Sequence, residues 1–281
     1  MLFTRQSNGM LDKLVYSMPS WVQDTLKGWV GKSVFLKRGF EVAKSMLSRR
    51  VGRIRTGPGE GLKIQHFGER LAHLSGEALR EEQAFLSRHV SEGDVVYDIG
   101  ANIGFLTTIT ARLTGPEGQV YAFEPIPSTA AMVKENASHN GFEHVTVFEW
   151  ALSSENGPAR MESEGEHTET YSVGEEGRVQ VTRRRLNDVV TEQNMKMPDL
   201  MKIDVEGHEL QVLEGALDTI RTAKPLLLIE VHSLGQAFVD FCEETLKPMG
   251  YTLTRLDGTD LPAGTERYHA FGNPTRNRPV S

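Results

Sequence analysis

The chain has 281 residues, of which 38% are hydrophobic and 25% charged, with one cysteine and a net charge of −7. This composition is ordinary for a globular protein and includes no apolar run near the ~18 residues of a membrane span. The single cysteine excludes an internal disulfide, and the acidic balance argues against nucleic acid as a substrate, because phosphate binding needs a basic face. With no secretion-signal pattern at its start, the chain is expected in the reducing cytoplasm.

The beginning of the chain is basic, whereas the remainder is acidic. Residues 1–56 carry eleven Lys or Arg and three Asp or Glu, a net +8, which leaves −15 for the rest. Val22, Leu26 and Trp29 follow helical spacing, which predicts amphipathic helices. Three interpretations stay open: a helical cap on the domain or on a second copy in a homo-oligomer, a peripheral membrane contact, or an arm that docks a partner.

A glycine-rich segment, GPGEG at residues 57–61, marks the predicted domain boundary. We therefore assign residues 1–60 to a basic helical extension and residues 61–281 to the main domain. In the main domain strand patterns alternate with helical patterns, which predicts a parallel sheet covered by helices, with an antiparallel pair at the end. The acidic stretch 155–178 is predicted to be a loop or hairpin, either a lid over a substrate or simply solvated.

The main domain is organised around the segment VVYDIGANIGFLT at residues 95–107. It predicts a strand that ends near Asp98, a turn containing Gly100, Asn102 and Gly104, and a helix. Glycines let a backbone approach a ligand closely, and the N-terminus of a helix offers unpaired N–H groups. The segment lacks the second and third glycines of the dinucleotide fingerprint, and the carboxylate of Asp98 suits a cationic, hydroxyl-rich ligand such as S-adenosylmethionine better than a pyrophosphate.

A second strand, VYAFEP, ends about 20 residues later at Glu124 and Pro125. An acid at the end of the second strand of an α/β nucleotide-binding fold is placed to accept hydrogen bonds from ribose hydroxyls. The glycine turn and Glu124 together therefore predict a nucleoside-containing cofactor.

Three segments in this order resemble the FkbM-type family of S-adenosylmethionine-dependent methyltransferases. They are VYDIGANIG, AFEP and LMKIDVEGHE at residues 200–209. The resemblance, over roughly residues 76–272, implies an α/β fold of class I methyltransferase (Rossmann-like) type: a seven-stranded, mostly parallel sheet with helices on both faces and strand order 3-2-1-4-5-7-6. It makes residues 61–281 the methyltransferase domain and implies transfer to a hydroxyl of a sugar, a glycolipid or a related natural product.

The resemblance also implies which residues bind the cofactor. They are Asp98, Gly100, Asn102, Gly104, Glu124 and Pro125, with Ala151 and Leu152 after the third strand at the adenine edge.

The reaction would be completed by residues at the ends of the fourth and fifth strands. A hydroxyl acceptor needs a base, because a neutral alcohol is a poor nucleophile. His208, in the first turn of a helix, is our first candidate, and Asp204 and His232 are the other predicted catalytic residues. Asp204, Glu230 and His232 would together suit a divalent metal, Mg²⁺ or Mn²⁺, or would bind substrate hydroxyls directly.

Two other functions remain as alternatives at this stage. One is a nicotinamide-dependent oxidoreductase, which the incomplete dinucleotide fingerprint disfavours. The other is a non-catalytic binding module that works through the N-terminal helices.

Overall fold

The computed structural model describes residues 50–66, 71–163, 171–174 and 179–275. The predicted amphipathic helices before residue 50 lie outside the described residues, so their cap, membrane and partner roles stay predictions. Among the described helices, none combines the length and apolarity that crossing a bilayer requires.

The described residues form thirteen strands and eight helices. The strands are β1 (Arg50–Arg53), β2 (Lys63–His66), β3 (Val95–Ile99), β4 (Gln119–Phe123), β5 (Val145–Phe148), β6 (Ala151–Leu152), β7 (Gly157–Ser163), β8 (Tyr171–Gly174), β9 (Val179–Arg184), β10 (Leu200–Ile203), β11 (Leu226–Val231), β12 (Tyr251–Arg255) and β13 (Tyr268–Pro274). The helices are α1 (Leu71–Ser75), α2 (Arg80–His89), α3 (Phe105–Thr114), α4 (Pro127–His139), α5 (Leu186–Glu192), α6 (Glu209–Gly215), α7 (Leu217–Ala223) and α8 (Gln236–Phe241), which continues as a π-helical turn over Cys242–Leu246.

Seven strands form the main sheet in the order β12-β13-β11-β10-β3-β4-β5. The pairs from β11 to β5 are parallel, and β13 is antiparallel to both β11 and β12. Numbered within this sheet alone, the order is 3-2-1-4-5-7-6, so the predicted fold class and strand order are confirmed. The carboxyl ends of β3, β4 and β10 therefore lie side by side.

Helices cover both faces of the sheet because its central strands are apolar on both sides. Every residue of β3 is buried, as expected for a central parallel strand. On one face Tyr97 and Ile99 pack in a cluster that includes Leu186 of α5 and Ile220 of α7. On the other face Ala122 packs with Val133 of α4 and with other small apolar residues. Each fully buried large apolar side chain contributes about 1.5–3 kcal/mol.

The acidic stretch predicted as a loop or hairpin contains β7 and β8, which pair antiparallel. The structure adds that this hairpin belongs to a separate four-stranded sheet, in the order β6-β9-β7-β8. Its apolar side, with Ala151, Met161 and Val181, packs on Ile126. This second sheet was not predicted, because the very short β6 has no alternating pattern to reveal it.

Two local expectations differ from the structure. The glycine-rich segment at 57–61 is the turn of the β1–β2 hairpin, where Ile54 donates its N–H to the Leu62 carbonyl at 2.9 Å. The division at residue 60 thus falls inside a hairpin, and the division itself stays a prediction. The sequence also predicts a helix from Gly76 to Val90, and in the structure this helix begins only at Arg80, because Leu79 adopts a left-handed φ of 52°.

Candidate active site

A pocket opens at the carboxyl ends of β3, β4 and β10, where ligands bind in open α/β sheets. Eight of the residues predicted from sequence line this pocket: Gly100, Asn102, Glu124, Pro125, Ala151, Leu152, Asp204 and His208. Met161 of β7 and Trp150, just before β6, also line the pocket. The four-stranded sheet therefore contributes one wall of the pocket. Asp98 lies beneath the glycine turn and is only 2% exposed.

The glycine turn is fixed by hydrogen bonds from neighbouring elements. Asp98 Oδ2 accepts a hydrogen bond from Thr107 Oγ1 of α3 at 2.6 Å. The N–H groups of Gly100 and Ala101 both donate to the Phe123 carbonyl at 3.0 Å. Asn102 has a left-handed φ of 51°, and its N–H donates to Glu124 Oε2 at 3.0 Å. The turn is therefore held by β4 and α3 without a ligand.

Gly100 and Gly104 are needed for packing within the protein, a reason that adds to the approach to a ligand that the sequence predicts. A Cβ atom on Gly100 would lie 1.8 Å from the Asp204 carbonyl oxygen. A Cβ atom on Gly104 would lie 3.0 Å from Val133 Cα of α4. Both glycines also have left-handed φ values, 77° and 81°. These glycines therefore permit a close approach to the end of β10 and to a helix, and Gly100 also lines the pocket.

Glu124 is 7% exposed at the end of β4. Its Oε2 accepts the Asn102 N–H at 3.0 Å and its Oε1 accepts the Ile126 N–H at 2.9 Å. Burial raises the pKa of Glu124 to about 7, although these two N–H groups and the charge of Lys202 oppose the rise. Each carboxylate oxygen has a further lone pair, so the group can still accept hydrogen bonds from a ligand in the pocket.

Trp150 stacks on Phe148 with the ring centroids 4.9 Å apart and the planes 9° from parallel, just before β6. The guanidinium of Arg184 lies 5.0 Å from the Trp150 ring centroid. Ala151 and Leu152 follow directly as β6 and line the pocket, as predicted by position.

His208 lies at the N-terminus of α6, and its Nε2 is 3.0 Å from the hydroxyl of the buried Ser153. Burial lowers the pKa of His208, and the charge of Arg183 lowers it further, while Glu209 opposes the shift. The imidazole is therefore neutral at pH 7 and able to accept a proton. Sequence alone left this balance open, because the positive end of the helix favours the neutral imidazole whereas Asp204 opposes it. In the structure, burial is the largest cause and Glu209 is the opposing acid.

His232 is oriented by a buried acid that the sequence analysis left unassigned. Glu209 is 0% exposed, and its Oε1 lies 2.8 Å from His232 Nδ1. His232 Nε2 lies 3.2 Å from Glu206 Oε2 and 3.9 Å from Asp204 Oδ1. Burial lowers the pKa of His232, but the contact with Glu209 and the charges of Glu206 and Asp204 outweigh it, so the pKa is raised.

The predicted metal ligands Asp204, Glu230 and His232 do lie together, with one ligand atom of each within 4.8 Å of the others. The donor set suits a divalent ion, yet Glu230 Oε1 already accepts a hydrogen bond from Arg267 Nε. Burial raises the pKa of Asp204, while the nearby Lys202 ammonium opposes this. Two protein cations therefore already balance these carboxylates, and a metal at this place stays a prediction.

Lys202 of β10 is the main residue of the site that sequence reasoning missed. It is 6% exposed, and its ammonium lies 3.2 Å from Asp98 Oδ1 and 3.6 Å from Asp204 Oδ2. Burial disfavours its charged form, but the charges of Asp98 and Asp204 outweigh burial and raise its pKa. A lysine in the middle of an otherwise apolar strand was the available signal, since a buried charge must be paired.

The chain matches a family model and several known proteins. Residues 98–253 match the family model of the methyltransferase FkbM domain. The hexuronic acid methyltransferase AglP of Haloferax volcanii is 30% identical over 169 residues, which cover 58% of this chain and 66% of that protein. The 31-O-demethyl-FK506 methyltransferase FkbM of Streptomyces tacrolimicus is 30% identical over 253 residues, which cover 76% of this chain and 95% of that protein. The crystal structure of a methyltransferase FkbM from Methylobacillus flagellatus has a TM-score of 0.47 and 18% identity, and covers 71% of this chain and 52% of that one.

Proposed function

Because this chain belongs to the FkbM methyltransferase family, we propose that it transfers the methyl group of S-adenosylmethionine to a hydroxyl of a sugar, a glycolipid or a related natural product. One relative is named for a hexuronic acid and another for 31-O-demethyl-FK506, which supports an oxygen acceptor. The family assignment removes the oxidoreductase alternative. The same assignment disfavours a non-catalytic binding module, whereas the cytoplasmic location and the homo-oligomer remain untested predictions.

One observation carries the choice of methyl donor: the buried acid Glu124 ends the second strand of the sheet and faces a pocket beside a glycine turn. Ribose hydroxyls can donate to its carboxylate, and the acidic lining favours a donor that carries sulfonium and ammonium charges. The acids Glu124, Asp204 and Glu206 line this pocket, and the small residues Ala151 and Gly100 leave room for the nucleoside.

The chemistry needs alignment and a proton acceptor. Methyl transfer from a sulfonium is an in-line displacement in which the positive charge disappears, so the site mainly has to align the two reactants and exclude water. The acceptor hydroxyl must lose its proton as the new C–O bond forms. His208 is neutral, lines the pocket and lies beside Ser153, so it is our first candidate for this base.

A second candidate base is the pair formed by Glu209 and His232. Glu209 holds the Nδ1 side of the ring, which leaves Nε2 directed toward Asp204 and Glu206. The same orientation would present Nε2 to a divalent metal, which would help by binding the acceptor oxygens. If the metal prediction is correct, Asp204, Glu230 and His232 would hold the ion, next to the hydrogen bond that Glu230 Oε1 accepts from Arg267.

Calorimetry of the purified chain with S-adenosylmethionine, S-adenosylhomocysteine and NADH tests the donor. We expect micromolar binding of the first two and none of the third. Glu124→Ala should weaken S-adenosylmethionine about tenfold or more, since hydrogen bonds to a charged group contribute about 1.5–3 kcal/mol. Glu243→Ala, at an exposed acid paired with Lys247, is the matched control and should bind like the wild type.

Transfer of a labelled methyl group to a panel of glycosides, including a methyl hexuronide, tests the acceptor. Parallel reactions with EDTA and with Mg²⁺ or Mn²⁺ test the metal prediction. Unchanged rates with EDTA would contradict that prediction. Binding of NADH in place of the adenosyl compounds would contradict the proposed function.

A further inference from the structure

Lys202 occupies a position that joins two halves of the pocket without lining it. In the parallel pairing of β10 with β3, Lys202 lies directly beside Asp98, so both side chains project from the same face of the sheet. Its side chain is 8% exposed. A buried ammonium costs several kcal/mol unless every N–H finds an acceptor, so its partners show what it does.

The ammonium has three N–H donors and three acceptors nearby. Lys202 Nζ donates to the Gly100 carbonyl at 2.7 Å, and it lies 3.2 Å from Asp98 Oδ1 and 3.6 Å from Asp204 Oδ2. Gly100 and Asp98 belong to the strand and turn that would hold the methyl donor. Asp204 belongs to the end of β10, beside His208 and Glu206, where the acceptor would be deprotonated.

These two halves also touch directly, because the Gly100 Cα packs against the Asp204 carbonyl oxygen. That contact brings two carbonyl groups and two carboxylates into a small volume, which is unfavourable without a cation. The Lys202 ammonium lies next to three of these four groups. Removing its charge would leave the Asp98 and Asp204 carboxylates facing each other and would release the Gly100 carbonyl.

We infer that Lys202 is a positioning residue: its buried ammonium holds the glycine turn of the donor half and Asp204 of the acceptor half at a fixed separation. The inference rests on the proposed function for the identity of the donor. A one-ångström change in the separation of two reactants lowers a displacement rate severely, which is why a rigid link between the halves matters. A purely structural role for Lys202, as a counter-ion that only keeps the fold stable, is the competing explanation.

The test compares stability with donor affinity. Lys202→Met removes the charge and keeps the length, and Lys202→Arg keeps the charge. Leu246→Ala, at a fully buried residue of the π-helical turn outside the pocket, is a destabilised control. Urea unfolding gives the stability of each variant, and calorimetry with S-adenosylmethionine and S-adenosylhomocysteine gives affinities at a temperature where all are folded. If Lys202→Met does not fold, Lys202→Gln, which retains two N–H donors, replaces it.

We expect the neutral Lys202 variant to bind both compounds at least tenfold more weakly than the wild type, whereas Leu246→Ala binds them normally at a comparable loss of stability. Lys202→Arg should recover most of the affinity, because it restores a cation between the two acids. Affinity within threefold of the wild type in a folded neutral variant would overturn the inference. Lack of binding by the wild type would contradict the proposed donor instead, so the two failures are distinguishable.

Discussion

Glu124 combines deep burial with two backbone N–H donors and a pKa of about 7. In the unfolded chain the same group ionises near its ordinary value of 4.5. Between these two values the folded protein binds the proton more tightly, so this residue makes the folded state less stable as the pH rises from about 5 to 7. The ionised form is stabilised by the N–H groups of Ile126 and Asn102 and by the charge of Lys202.

The first prediction concerns this pH dependence. Relative to Glu124→Gln, the wild type should lose about 3 kcal/mol of unfolding free energy between pH 5 and pH 8, as linkage requires for a shift of this size. Urea unfolding at four pH values measures both slopes. The amide of the variant also leaves one backbone N–H without an acceptor, so its absolute stability falls, but its slope is the informative quantity. Parallel slopes for the two proteins would contradict the raised pKa.

The second prediction concerns the base. His208→Gln should lower kcat for an identified acceptor about 10²–10⁴-fold, the usual contribution of a positioned base, while leaving the affinity for S-adenosylmethionine within a few fold. In the wild type, kcat should decrease only when the pH is lowered below 6.5, the ordinary pKa of histidine, because burial lowers the pKa of His208. His139→Gln, at an exposed histidine in the last turn of α4, is the control. If His232→Gln abolishes transfer and His208→Gln does not, the base is His232.

At the scale of elements, the turn between β3 and α3 shows why glycine is required at two positions of a short motif. Its glycines have left-handed φ values, and each lies against a neighbouring element that leaves no space for a Cβ. A left-handed backbone alone costs a non-glycine residue about 1–2 kcal/mol, and overpacking adds about 1–3 kcal/mol.

The third prediction separates these two costs. Gly258 has a φ of 84° with nothing within 4 Å of an added Cβ, whereas Gly100 has a φ of 77° and a Cβ would lie 1.8 Å from the Asp204 carbonyl oxygen. Gly258→Ala should therefore cost about 1–2 kcal/mol, from the backbone alone. Gly100→Ala should cost clearly more and should also weaken S-adenosylmethionine binding. Equal losses of stability in urea unfolding would show that the contact between Gly100 and β10 relaxes easily.

Asn136 of α4 links three elements around the same turn. It is fully buried, its Oδ1 accepts the Gln65 N–H of β2 at 2.6 Å, and its Nδ2 donates to the Ile103 carbonyl at 2.7 Å. The fourth prediction is that Asn136→Leu costs about 2–5 kcal/mol, because two buried backbone groups lose their partners. The replacement of exposed Ser138 by Leu on the same helix should cost less than about 0.5 kcal/mol in the same unfolding measurement.

For the whole molecule, the division between a basic beginning of the chain and an acidic remainder is a feature whose function is untested. Residues 1–56 carry +8 and the remainder −15. Since β1 begins at Arg50 and pairs with β2, a deletion meant to spare the main domain has to stop at residue 49. The fifth prediction is that the full chain floats with anionic liposomes whereas residues 50–281 stay in the soluble fraction. Equal behaviour of the two proteins would remove the membrane interpretation and leave the cap and the docking arm.

The sequence by itself determined the alternation of strands and helices and the acids at the ends of the strands. Asp98, the glycine turn and Glu124 follow their strands at short separations, so apolar periodicity and turn chemistry are enough to place them. The strand order came from resemblance to a family, because local patterns do not specify which distant strands pair. For the same reason, the sequence could not show that Glu209 orients His232 or that Arg267 pairs with Glu230.

Only the tertiary structure decided how the charges of the site are balanced. Lys202 and Gly100 are 102 residues apart along the chain, and they meet because β10 is inserted beside β3 in the sheet. The spacing of residues shows which face of a strand a side chain occupies. It does not show which residues from other elements contact that side chain. A buried charge is stabilised by those partners, so its role is determined only when the chain has folded.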